Sequence, residues 1–176
     1  MHIALDLRIM PVNINIAASS ELAAVAVGQV VRLRFWARQR DTRELLQYGD
    51  DLCYLHGGFG GVFPRVEQAL AGLRCGERTV VNLEPEDGYG LRDPALLIVQ
   101  SVASLPDDEE LTLGSVLFGE LSDGREHPFT VVRIEPEQVH LDGNHPWAGL
   151  PLEFTFEVLD IRSATAGEYA AGRPII

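Results

Sequence analysis

Basic residues are scarce in this sequence. Its 176 residues include 14 Lys and Arg against 26 Asp and Glu, a net charge of −12. That balance argues against nucleic acid as a partner, because phosphate binding depends on cations that displace counterions. It suits a soluble chain that resists self-association. Long apolar runs are missing too: none approaches the ~20 residues of a membrane helix, so no membrane association is expected. The opening stretch MHIALDLRIMPVNINI has no basic leader and is broken by Asp6, Arg8 and Asn13, which does not fit a secretion signal. The expected compartment is the cytoplasm. Cysteine is nearly absent. Cys53 and Cys75 cannot make a disulfide framework and read as small, half-buried thiols.

Several chemistries lack their residues. Cys53 and His56 are three apart, but His2, His127, His140 and His145 add no ligand pair, so no metal and no cofactor is expected. A Cys–His nucleophile would lack an orienting third group. Gly57-Gly58-Phe59-Gly60-Gly61 precedes a helix but has neither the lysine and hydroxyl of a phosphate loop nor the G-x-G-x-x-G spacing. It reads as a flexible turn. Glu84, Glu86 and Asp87 flank a turn and read as a solvated face rather than an acid–base pair.

What is present is β patterning with one helical interruption. Residues 2–9 and 12–17 alternate around Pro11, and 25–38 place Val31, Leu33 and Phe35 on one face. A short strand is expected at 52–56. The period then changes: Val66, Ala69, Leu70 and Leu73 form a helical stripe, with Pro64 in the first turn and Gly72 or Gly76 at the end. Residues 78–85 read as a strand and 86–94 as a loop carrying Tyr89 between glycines. That ring either lines a groove and offers its hydroxyl or merely anchors the loop. With Phe35, Leu52, Phe63 and Phe154 it is a candidate apolar pocket, although each of these residues suits a core equally well.

An apolar run fills 95–106, and the acidic break DDEE occupies 107–110. Short strands are expected at 115–121, 128–135 and 138–142, the spacing of a small all-β unit. A compact corner at 142–149 then leads into a strand alternating Leu152, Phe154, Phe156 and Val158. The tail is expected to be loose. The pattern is discontinuous: a helix with its strands before residue 100, an inserted β module, and a completing strand after 150.

The stretches YLHG (54–57), VEQALAGLRCGE (66–77), LEPEDGYG (83–90) and, above all, DGNHPWAGLPLEFTFEVLDIRSAT (142–165) resemble the SlyD-type FKBP family. The resemblance covers residues 26 to 168. It implies a prolyl cis–trans isomerase with a chaperone-like insert-in-flap domain. The implied fold is α+β and β-rich: an FKBP-like antiparallel sheet wrapped on one helix, with a small all-β insert. The implied organisation is an N-terminal extension (1–24) with extra strands, a discontinuous FKBP-like domain (25–100 and 148–165), the insert (101–147) and a tail (166–176).

By position, the resemblance gives the catalytic groove Tyr89, Phe35, Phe63 and Phe154. It makes Leu52, Val62, Val66 and Gln47 substrate-binding. Leu117, Phe118, Phe129 and Val131 are candidates for the chaperone surface, half of them expected to be the insert's own core. The implied partners are unfolded or proline-containing polypeptides. The chain departs from the family at three of its positions. Gln47 stands where an Asp is common, Phe63 replaces an Ile, and Arg65 replaces a Gly; one residue is also added in the glycine run. These departures imply reduced activity and keep a second reading open, a catalytically weak or inactive FKBP-fold protein-binding module.

Overall fold

The computed structural model describes residues 23–104 and 111–175. The two strands expected within residues 2–17 and the acidic break at 107–110 lie outside the described residues. Two compact units emerge. The first contains the chain up to Ala37, Leu45–Val81 and the chain from Phe154 onward; the second contains Arg38–Glu44 and Asn82–Glu153. The fold is α+β, with strands outweighing helices among the described residues.

The larger sheet has four strands: β1 (Gln29–Gln39), β2 (Leu45–Leu55), β3 (Arg78–Leu83) and the last strand of the chain, β8 (Leu152–Ser163). Their order is β2-β1-β8-β3. β8 is therefore an interior strand, and its alternation shows it: Leu152, Phe154, Phe156 and Val158 are buried, and the residues between them are half-buried. In β1, Val31, Leu33 and Ala37 are sealed, whereas Phe35 on the same period is only half-buried. β2 is longer than the expected 52–56: its mostly exposed first half, LLQYGDD, also pairs, along the edge of the sheet.

Helix α1 spans Pro64–Leu70, with Pro64 at its start and Val66 and Leu70 buried one turn apart. It stops short of the stripe that Leu73 extends in the sequence. The backbone of Val25 captures the chain there: Val25 N–H donates to the Leu73 carbonyl at 2.8 Å, and Gly72 N–H to the Val25 carbonyl at 2.8 Å. Strand-like pairing thus peels the last turn away, at Gly72 with φ +82°. The tail is not loose. Ala166–Ala171 form a second helix, α2, closed at its start by a capping box between Thr165 and Glu168.

In the second unit, β4 (Leu97–Ser101), β5 (Val116–Glu120), β6 (Glu126–Ile134) and β7 (Gln138–Asp142) form an antiparallel sheet in the order β4-β7-β6-β5. Its core is Phe129, Val131, Val139 and Leu141, with Leu96, Ile98, Leu111, Leu117 and Leu121 packed on it. The chain enters and leaves this sheet at one point, where Gly143 N–H donates to the Leu96 carbonyl at 2.9 Å. Among the described residues, no helix is long and apolar enough to cross a membrane.

Candidate functional site

An aromatic wall forms in the first unit because a pleated strand sends every second side chain to one face. Phe154 and Phe156 are consecutive inward residues of β8, with rings stacked at 5.6 Å and 7°. Phe35 of β1 lies 6.4 Å from Phe156, tilted by 38°. The Phe35 ring has room only because Gly49 is a glycine: a Cβ there would come within 2.7 Å of the ring. Phe156 belongs to this wall although only its neighbour was assigned to the groove; the two-residue spacing from Phe154 was the available signal.

Phe63 is the residue before α1, with extended backbone (φ −60°, ψ 144°), and its carbonyl accepts Glu67 N–H to close the first turn. Phe63, Val62 and Leu52 are half-buried, Val66 is sealed, and Gln47 is exposed on β2.

The glycine loop before α1 is held at its start and its tip. The Glu67 carboxylate accepts Gly57 N–H at 2.7 Å and Gly58 N–H at 3.0 Å. Burial alone would raise the Glu67 carboxyl, but these two N–H groups and nearby His56 outweigh it and hold it below its ordinary range. Tyr54 and His56 share a buried 2.9 Å hydrogen bond beneath the loop. Burial, reinforced by Glu67, pushes the Tyr54 hydroxyl well above its ordinary value. The loop's tip, Phe59, meets Tyr169 of α2 edge-on at 5.2 Å. The flexible turn expected from GGFGG is therefore a clamped one.

In the second unit, Tyr89 follows a single 3-10 turn, Pro85–Asp87. Gly90 N–H closes the loop onto the Pro85 carbonyl at 2.7 Å. The corner at 142–149 then braces it. Gly149 N–H donates to the Gly90 carbonyl at 2.8 Å, and Asn144 exchanges two hydrogen bonds with the Asp93 backbone at 2.7 and 3.0 Å. Arg92 pairs with Asp142. Burial would raise the Asp142 carboxyl, but Asn144 and Arg92 together hold it low. His145 stacks on the Tyr89 ring and Trp147 meets it edge-on. Burial raises the Tyr89 hydroxyl above its ordinary value, so it stays protonated and can donate. The Asn144, His145 and Trp147 contacts to this loop were not anticipated, although the corner itself stood out in the sequence.

Of the four insert candidates, Phe129 and Val131 are 4 % and 1 % exposed, and they form core rather than surface, because β6 turns that face inward. Leu117 is half-buried against the same cluster, and Phe118 is 68 % exposed.

No protein-family model matches the chain. Curated proteins do. It is 41 % identical over 124 residues to the FKBP-type peptidyl-prolyl cis-trans isomerase SlyD of Aeromonas hydrophila, covering 70 % of this chain and 57 % of that protein. It is 31 % identical over 144 residues to SlyD of Treponema pallidum, covering 81 % of each. The chain belongs to the SlyD-type FKBP family. A further FKBP-type relative, the 16 kDa peptidyl-prolyl cis-trans isomerase of Escherichia coli K12, is 34 % identical over 99 residues, 56 % of this chain and 66 % of that protein. The chain thus spans 57 % and 66 % of the Aeromonas and Escherichia family members it matches.

Proposed function

We propose that this protein is a peptidyl-prolyl cis–trans isomerase acting on X–Pro bonds of unfolded or partly folded polypeptides. The supporting observation is the aromatic wall of Phe35, Phe154 and Phe156 on the inner face of the larger sheet. Rotation about a prolyl amide meets a barrier of about 18–20 kcal/mol and needs no covalent chemistry. A dry aromatic surface grips the proline ring and strips water from the amide, which favours the twisted state, whose resonance is broken. Each ~1.4 kcal/mol of preference for that state is worth tenfold in rate. Phe63 and Val66 supply the wall at the start of α1, and the protonated Tyr89 hydroxyl donates to a substrate carbonyl, roles that rest on the family resemblance. Gln47, being exposed, contributes little to this wall.

The insert sheet supplies chain binding. Leu97, Val99, Val116 and Phe118 are exposed on its outer strands, and a groove of about 270 Å³ has Ile98, Leu117, Phe118 and Phe129 among its walls. A cytoplasmic setting belongs to the same reading, which two cysteines in 176 residues suit. The experiment is a proline-limited refolding reaction with catalytic amounts of pure protein. Acceleration is expected, with Phe35→Ala and Tyr89→Phe each lowering kcat/KM about tenfold, the loss of ~1.4 kcal/mol. No acceleration by folded wild type would reject catalysis and leave a binding module.

A further inference from the structure

The braced corner contains an imidazole that this reaction does not use. His145 lies flat on Tyr89, with ring centroids 3.8 Å apart and 8° between planes. Trp147 meets Tyr89 edge-on at 5.3 Å and His145 at 5.8 Å. The imidazole is itself oriented, because its Nδ1 accepts the backbone N–H of Trp147 at 3.1 Å. A nitrogen that accepts carries no proton, so the neutral ring keeps its proton on Nε2.

We propose that His145 is a positioning residue for Tyr89: neutral, it fixes the Tyr89 ring against the corner, and protonated, it lets that ring go. Protonation turns Nδ1 from acceptor into donor and sets it against the Trp147 N–H. The lost bond is worth about 1 kcal/mol, and the facing donors add repulsion. The pull of an imidazolium on the Tyr89 face, about 0.5–1 kcal/mol at an exposed site, opposes this but does not restore the bond.

The loop packed against the imidazole carries Glu84, Glu86, Asp87, Tyr89, Arg92 and Asp93, and Arg92 is paired with Asp142. Asp93 caps the next turn through Ala95 N–H. Desolvation holds the ionisation of His145 below the ordinary histidine value.

The consequence for catalysis rests on the isomerase reading; the positioning does not. Two readouts on the full chain separate them. The first is NMR of the aromatic rings from pH 8 to about 5, the range in which histidine titrates. Cross-relaxation between the Tyr89 and Trp147 rings is expected at the upper end and lost as His145 protonates. The second is kcat/KM on a short X–Pro peptide, expected to fall over the same limb by at most about fivefold, the full worth of one hydrogen bond. His145→Phe keeps a flat ring with no proton to gain and is expected to flatten both profiles. Ring contacts that persist through His145 protonation in the wild type, or an equal acid loss in His145→Phe, would overturn the proposal. Contacts that vanish on schedule in a protein without isomerase activity at any pH would support the positioning and sink catalysis instead.

Discussion

At the scale of single residues, Gly49 shows how a missing side chain shapes a wall. Its absent Cβ would stand 2.7 Å from Phe35 Cε1. Gly49→Ala is expected to push the half-buried Phe35 ring outward. The stability cost should be about 1 kcal/mol, the lower end of overpacking, because the ring has solvent to move into. Isomerase activity should fall with it. In a Phe35→Ala background the same substitution should be neutral, and a denaturant-midpoint cycle on the four proteins reads the coupling. Equal costs in both backgrounds would show that Gly49 matters for another reason. Phe35 and Phe154 were identifiable because strand alternation and family position agree on them. Gly49 was not, because a demand for empty space appears only once two strands are paired. The Tyr89–His145 stack escaped for a similar reason, since the two residues lie far apart in the chain.

At the scale of elements, local pattern succeeded where tertiary contacts reinforced it and failed where they did not. β8 and the insert hairpins follow the alternation of their residues. Helix α1 loses its expected last turn to pairing with Val25, a contact no window of sequence contains. Helix α2 carried a legible signal in Thr165 and Glu168, the capping-box spacing, which the small residues around it obscured.

Glu168 also organises that helix from inside. Its buried carboxylate accepts both Arg162 Nη groups at 2.8 and 2.6 Å, Thr165 N–H at 2.9 Å and Ile175 N–H at 3.1 Å. Arg162 above all, then the backbone N–H groups, hold its ionisation far below the ordinary glutamate value. A carboxyl depressed on folding contributes stability above its unfolded value, near 4.3, and that stability is lost as pH falls toward the folded value. The docking of α2 is therefore expected to weaken progressively below about pH 4, with Tyr169 leaving Phe59. Glu168→Gln should weaken it already at neutral pH and remove that acid limb. Thr165→Ala should cost about 1 kcal/mol at all pH values. Tyr169 fluorescence or its ring resonances report the release; an unchanged acid limb in Glu168→Gln would assign it to another group.

At the scale of the whole molecule, the two sheets differ in how the chain builds them. The smaller one is contiguous, and its ends meet at the Leu96–Gly143 hydrogen bond. Replacing Ile98–Leu141 with a short glycine-rich loop, which keeps Asp142 and its Arg92 partner, is therefore expected to leave the larger sheet folded and catalysis on a short X–Pro peptide within about threefold, since closing a short loop costs little. Suppression of aggregation and acceleration of protein refolding should drop much further. Equal loss on peptide and protein substrates would show that the insert supports the catalytic fold and not chain capture. The membership of β8 in the larger sheet was legible from the return of alternation after residue 150. The placement of the first insert strand at Leu97 was not, because ALLIVQSVASLP suits either sheet.

The interior place of β8, between β1 and β3, sets an order on biosynthesis. A nascent chain has every residue of the smaller sheet in hand by Asp142, whereas the larger sheet waits for a strand that ends at Ser163. At roughly 5–20 residues per second of translation, the delay is about one to four seconds. During that interval β1 and β3 each lack the neighbour that β8 later supplies, so the strand made after the smaller sheet is the wedge that joins them.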